Sequence, residues 1–243
     1  MCRLLGYVAK SPTTFPEVIG EHFSGFVKLS SLHCDGWGVA NGDGQCNTEI
    51  TAARESENFQ AILAAARSEA GLLHLRWASP GIPVDPSNNH PFTFEGLSFI
   101  HNGSLHPYDG LDSLLEGKYK AEIKSESDSH RFFMLLAQSV AVHGLEGGIL
   151  DAIKTIRGHV TYASLNSMLL SDEYFVMINE HDPANKPPML TDEYYEIRYR
   201  ADADAVVFGS SGWNQDGWTL LENHKILIIK RDDLTMRIIE IPA

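Results

Sequence analysis

Hydrophobic positions first gather at Arg3 to Ala9, which reads as a strand starting almost at the terminus. Glu55 to Ala70 carries Phe59, Ile62, Leu63 and Ala66 on one face, which predicts an amphipathic helix. Leu72 to Ala78 alternates as a strand, and Leu97 to Ile100 is a second, shorter one. Phe132, Phe133, Leu135, Leu136 and Val140 recur at helical spacing within Asp128 to Val142. Leu145 to Ile156 predicts a further helix, with Gly147 and Gly148 weakening its start. The last third is rich in strand-like runs: Tyr162 to Leu170, Tyr174 to Ile178, Tyr194 to Tyr199, Ala205 to Phe208, Ile226 to Ile229 and Met236 to Ile241. Turn-forming residues such as Glu180 to Pro188 separate them. Strands, then helices, then strands predict an α+β layered domain rather than an alternating parallel sheet.

Composition narrows the function classes. Apolar residues make up 43% of the 243 and charged residues 21%, as in an ordinary soluble globular chain. The formal net charge of -13 leaves no basic footprint for nucleic acid or anionic lipid. No apolar run approaches the roughly 18 residues of a membrane span. The opening Met1-Cys2-Arg3-Leu4-Leu5 lacks the features of a secretory signal. Three cysteines (Cys2, Cys34, Cys46) are too few and too odd for a disulfide framework and predict a cytoplasmic protein. No spacing makes a zinc pattern, so no metal is expected, and Cys34 within His33-Cys34-Asp35 is expected to be a buried structural cysteine.

Four short segments carry candidate chemistry. Cys2 follows an initiator Met that aminopeptidase action would remove, leaving a thiol and a free α-amine on one residue. An α-amine titrates at roughly 7.7–8.0, so it can take the thiol proton and return it to a leaving group. Taken alone, a residue after the initiator Met more often means nothing. Arg76 ends a buried-looking strand, where its guanidinium makes either a structural ion pair or a fork for a carboxylate. His101-Asn102-Gly103 closes another strand: an ordinary turn, or a pair of donors for an oxyanion. Ser125 to Ser129 heads the second helix, where Asp128 is either a plain cap or an anion for a substrate ammonium. Each is weak alone. Together they supply a nucleophile with its own base, an oxyanion hole, and a cation and anion for an amino-acid zwitterion such as glutamine.

In this order the segments resemble class II glutamine amidotransferases with the N-terminal-nucleophile fold. Met1-Cys2-Arg3-Leu4-Leu5-Gly6-Tyr7 and Asp35-Gly36-Trp37-Gly38-Val39 are similar to short stand-alone members. Arg76-Trp77-Ala78-Ser79, His90-Pro91, His101-Asn102-Gly103 and Ser127-Asp128-Ser129 are similar to successive landmarks of glucosamine-phosphate synthase. The resemblance implies a four-layer αββα sandwich spanning residues 2–243 as one domain, with Met1 removed and no cofactor. It implies Cys2 as nucleophile, Asn102 and Gly103 as oxyanion donors, Arg76 and Asp128 as holders of the α-carboxylate and α-ammonium, and the Trp77 backbone as pocket wall. His130 and Pro80 depart from the pattern, as does Phe208 to Trp213, which lacks a Ser-Glu-Pro element. The substrate is then glutamine, with ammonia passing to a separate synthase or acceptor subunit. Two alternatives stand: a larger γ-glutamyl amide, as in the short relative of ergothioneine biosynthesis, or a silent glutamine-binding regulatory subunit. Trp213 and Trp218 are expected to pack at an edge rather than cover the pocket.

Overall fold

The computed structural model describes residues 2–242; the expected removal of Met1 falls outside them. One antiparallel sheet runs in the order β11 (Thr219–Leu221), β9 (Ile197–Ala201), β10 (Ala205–Ser210), β1 (Arg3–Thr13), β4 (Ser68–Arg76), β2 (Gly36–Asn41) and β3 (Cys46–Glu49). A second runs β13 (Met236–Glu240), β12 (Lys225–Lys230), β8 (Tyr174–Asn179), β7 (Thr161–Leu170), β6 (Leu97–His106) and β5 (Phe92–Phe94). Helices α1 (Phe15–Ile19), α2 (Phe23–Lys28) and α3 (Phe59–Ala65) cover the first sheet, and α4 (Gly117–Glu122) and α5 (Asp128–His159) the second. The result is the αββα sandwich.

Strand alternation builds these layers, because successive side chains leave opposite faces. In β1, Leu5, Tyr7 and Ala9 enter the core under α1 to α3, while Leu4 and Val8 enter the core between the sheets. Gly6 lies on the inter-sheet face, where an added Cβ would come within 2.6 Å of the Phe175 ring. Phe175 stacks on Phe208 across the sheets at 4.9 Å. On the far side Phe99 packs against Phe132 and Phe133 of α5, with ring centroids 5.2 and 5.1 Å away.

Several element boundaries differ from the sequence expectation. The helix predicted to run to Ala70 stops at Ala65, and Ser68 already belongs to β4. Ala70 pairs with Val8 and joins the inter-sheet core with Leu72. Burying such side chains contributes about 1.5–3 kcal/mol for a leucine, against at most ~0.7 kcal/mol per residue of helix preference. The two helices predicted on either side of Gly144 are present: the span Asp128–His159 is broken at Gly144, whose φ of 73° and ψ of 175° lie outside helical geometry. Tyr194 and Tyr195 sit in a 3-10 turn, and β9 starts only at Ile197. Although α5 is long and apolar enough to pass for a membrane span, one face packs on the second sheet.

Candidate active site

The site lies at one end of the sandwich, between the sheets. Side chains of β1 that face the other sheet fall at Leu4 and Val8, and stepping back two residues from Leu4 puts Cys2 on that same face. The register Arg3↔Leu75 then sets Cys2 beside Arg76, the last residue of β4. From the opposite sheet, Asn102 of β6 reaches across, and its Oδ1 accepts a hydrogen bond from the Cys2 nitrogen at 2.8 Å. The Cys2 thiol points at the Trp77 carbonyl oxygen, 3.8 Å away. Cys2, Arg76, Trp77, Gly103 and Asp128 all line one cavity, joined by Ser79, Asn88, His101, Ser127 and Ser129.

Arg76 of this lining, and Asn102 beside Gly103, carry donors with no partner among the described residues. Asn102 is 0% exposed, and with its Oδ1 engaged by Cys2 its amide nitrogen has no acceptor. Arg76 is 3% exposed; its Nη2 donates to the Pro83 carbonyl at 2.8 Å, while Nη1 has no acceptor. Burial lowers the Arg76 pKa from its ordinary value, opposed by the nearby Cys2, Asp35 and Asp85. An unpaired buried donor costs about 1–3 kcal/mol, more when charged, so one on the cavity wall and one on the residue beside Gly103 mark a place suited to an acceptor-bearing ligand.

Asp128 is fixed by the start of α5. Ser127 caps the helix and accepts from the Ser129 N–H at 3.2 Å. The Asp128 carboxylate accepts from the Leu105 N–H of β6 at 2.7 Å and from the Ser129 N–H at 2.8 Å. Gly103 admits no side chain, since a Cβ there would lie 1.8 Å from the Ser164 carbonyl oxygen of β7.

Around this centre stand residues to which the sequence patterns gave no role of their own. His101 donates through Nε2 to the Ser164 carbonyl (3.0 Å) and accepts through Nδ1 from the Ser129 hydroxyl (2.8 Å), tying β6 to the head of α5. His33 donates from Nδ1 to Leu29 O at 2.9 Å, so its Nε2 accepts from the Tyr194 hydroxyl at 3.2 Å. Tyr194 also places its hydroxyl 3.4 Å from the Cys2 carbonyl oxygen, and the Arg3 guanidinium lies over its ring at 3.8 Å. Asn88 joins the loop before β5 to the segment before α5 by accepting from the Glu126 N–H. Only contacts across many residues reveal these roles, so no local spacing signals them.

The remaining candidates fall elsewhere. Cys34 is exposed, not buried as expected, because it lies in the loop before β2 while its neighbour Asp35 turns inward to accept from the Ala78 N–H. His130 stays off the cavity, stacked on Phe92 at 4.5 Å and bonded to Ser125. Trp213 and Trp218 pack edge to face at 5.3 Å beside α2, consistent with edge packing.

Comparison with known proteins adds a likeness of both sequence and fold. The chain matches no protein-family model. It is 27% identical over 164 residues to the probable glutamine amidotransferase DUG3 of Saccharomyces cerevisiae, a match covering 58% of this chain and 46% of that protein. It is 29% identical over 180 residues to the glutamine–fructose-6-phosphate aminotransferase (isomerizing) of Mycolicibacterium paratuberculosis, covering 69% of this chain and 28% of that one. The chain thus spans less than half the length of these curated relatives. Among solved structures, a glutamine aminotransferase class-II domain protein from Silicibacter pomeroyi superposes with a TM-score of 0.68 at 19% identity, covering 97% of this chain and 98% of that one. The fold is therefore the one that class II glutamine amidotransferase domains adopt.

Proposed function

We propose that this chain, similar in sequence and fold to glutamine amidotransferases, hydrolyses the side-chain amide of glutamine through a glutamyl thioester on Cys2. The observation that carries this reading is a pair of donors without partners among the described residues: Arg76 Nη1, on the cavity that Cys2 and Asp128 line, and Nδ2 of Asn102, which precedes Gly103 of that cavity and binds the Cys2 nitrogen. With Met1 removed, the nitrogen that bonds Asn102 Oδ1 becomes the α-amine, held beside its own thiol. It takes the thiol proton as Sγ adds to the amide carbon. Asn102 Nδ2 and the Gly103 backbone stabilise the developing oxyanion, a contribution worth about 2.7–4 kcal/mol per donor. Arg76 Nη1 holds the α-carboxylate and Asp128 the α-ammonium, so glutamine is oriented by both ends of its head group. The amine returns the proton to the departing nitrogen, ammonia leaves, and water splits the thioester to glutamate. The ammonia passes to a separate synthase or acceptor subunit.

Intact mass of the protein from its native host, before and after a glutamine-mimicking diazoketone, tests this directly. Loss of Met1 and one adduct, absent in Cys2→Ser, is expected. Retained Met1 would remove the base from the mechanism and favour a glutamine-binding regulatory subunit.

A further inference from the structure

Beside the catalytic cavity lies a second pocket of about 340 Å³, walled by Trp77, Pro80, Tyr108, Pro187, Met189 and Leu190. It shares Trp77, Ala78 and Ser79 with the cavity that holds Cys2, and it reaches β6 at Ser104, next to Gly103. None of its described lining residues is Asp, Glu, Lys or Arg. Its walls are braced: the Tyr108 hydroxyl donates to the Pro80 carbonyl at 2.9 Å, and the Tyr108 ring lies 4.6 Å from that of His106. Leu190 packs with Tyr194, Tyr195 and Trp77, while Met189 is 77% exposed at the rim. A pocket of this size and apolar character fits a ring-sized ligand group. Ammonia, with one heavy atom, would leave it empty.

We infer that, besides glutamine, the site accepts γ-glutamyl amides of uncharged aromatic or branched aliphatic amines, and that this pocket receives their amine half. The inference rests on the proposed Cys2 chemistry and extends it on the leaving-group side. Arg76 and Asp128 hold the glutamyl head group, the amide carbon meets Sγ, and the amine substituent extends past Trp77 into the apolar pocket. The Sγ–C bond forms and the C–N bond breaks. The thiol proton, carried by the α-amine, goes to the departing amine nitrogen, and water then releases glutamate and the free thiol. A charged substituent would lose its hydration with no counter-ion in the wall.

The test compares kcat/KM for γ-glutamylbenzylamide, γ-glutamylglycine and glutamine, using protein whose free Cys2 terminus is confirmed by mass. Benzylamine and the glycine amine are of similar basicity, so the pair reports the pocket rather than leaving-group chemistry. The benzylamide is expected to exceed the glycine conjugate by about tenfold or more. Met189→Asp, at an exposed rim position, should lower the benzylamide-to-glutamine ratio by about fivefold. Glutamine turnover with no preference for the benzylamide would overturn the inference and leave the glutaminase reading standing. No turnover of any of the three would overturn both.

Discussion

At the scale of single residues, the site is a set of donors without acceptors, and Asn102 illustrates the division of labour. Its Oδ1 holds the Cys2 nitrogen, and its Nδ2 is free to serve an oxyanion. Asn102→Asp keeps the acceptor and removes the donor at nearly constant volume. With glutamine, kcat is expected to fall by about 10²–10³ while KM changes little, because the lost interaction belongs to the transition state. A KM effect with kcat preserved would contradict the oxyanion role. Cys2, Arg76, Asn102, Gly103 and Asp128 were legible in the sequence because each sits in a short segment with a recognisable order. The roles of Asn88, His101 and Tyr194 were not, since their partners lie 38, 63 and 192 residues away.

Elements are locked together at a fully buried carboxylate. Glu180, just past β8, accepts from Arg157 of α5 at 2.9 Å, from the Tyr162 hydroxyl of β7 at 2.5 Å and from His224 Nδ1 at 2.7 Å. It therefore pins the last turns of α5, beyond the break at Gly144, to the second sheet. Glu180→Ala leaves Arg157 and the Tyr162 hydroxyl without their acceptor, and is expected to cost about 3–5 kcal/mol in urea unfolding. A loss under about 1 kcal/mol would show that solvent replaces the carboxylate. The sequence placed α5 and most of the central strands, whose hydrophobic periods run long enough to read. It overran α3, because Ala66 to Ala70 continues a helical pattern that only pairing with β1 interrupts.

For the whole molecule, histidines make acid the weak point. Burial lowers His33 and His74 from 6.5 to about 3 and His130 to about 4, and holds His90 well below its ordinary value. His74 and His90 lie ring to ring at 4.3 Å with Arg76 nearby, which adds to the disfavour of a proton on either. Well above pH 6.5, from about pH 7.5, neither folded nor unfolded histidines carry much charge, and their effect on stability is flat. As pH falls from about 6.5 toward 4, the unfolded chain binds protons that the folded chain refuses. Stability should then drop by about 1.4 kcal/mol per pH unit for each such histidine. Urea midpoints at about pH 7.5 and about pH 5 measure this, and equal midpoints would exclude neutral histidines in the folded core.

Sequence alone determined the layered α+β class and pointed to the five residues on which the proposed chemistry turns. Local signals carry both: hydrophobic period reports which face is buried, and short motifs keep their residues within a few positions of one another. Tertiary structure decided what those residues face. It set Cys2 against Asn102 across two sheets, left Arg76 Nη1 and Asn102 Nδ2 without acceptors, and opened an apolar pocket behind Trp77. The walls of that pocket come from segments as far apart as Trp77 and Leu190, so their juxtaposition is a property of the packed chain and of no stretch within it.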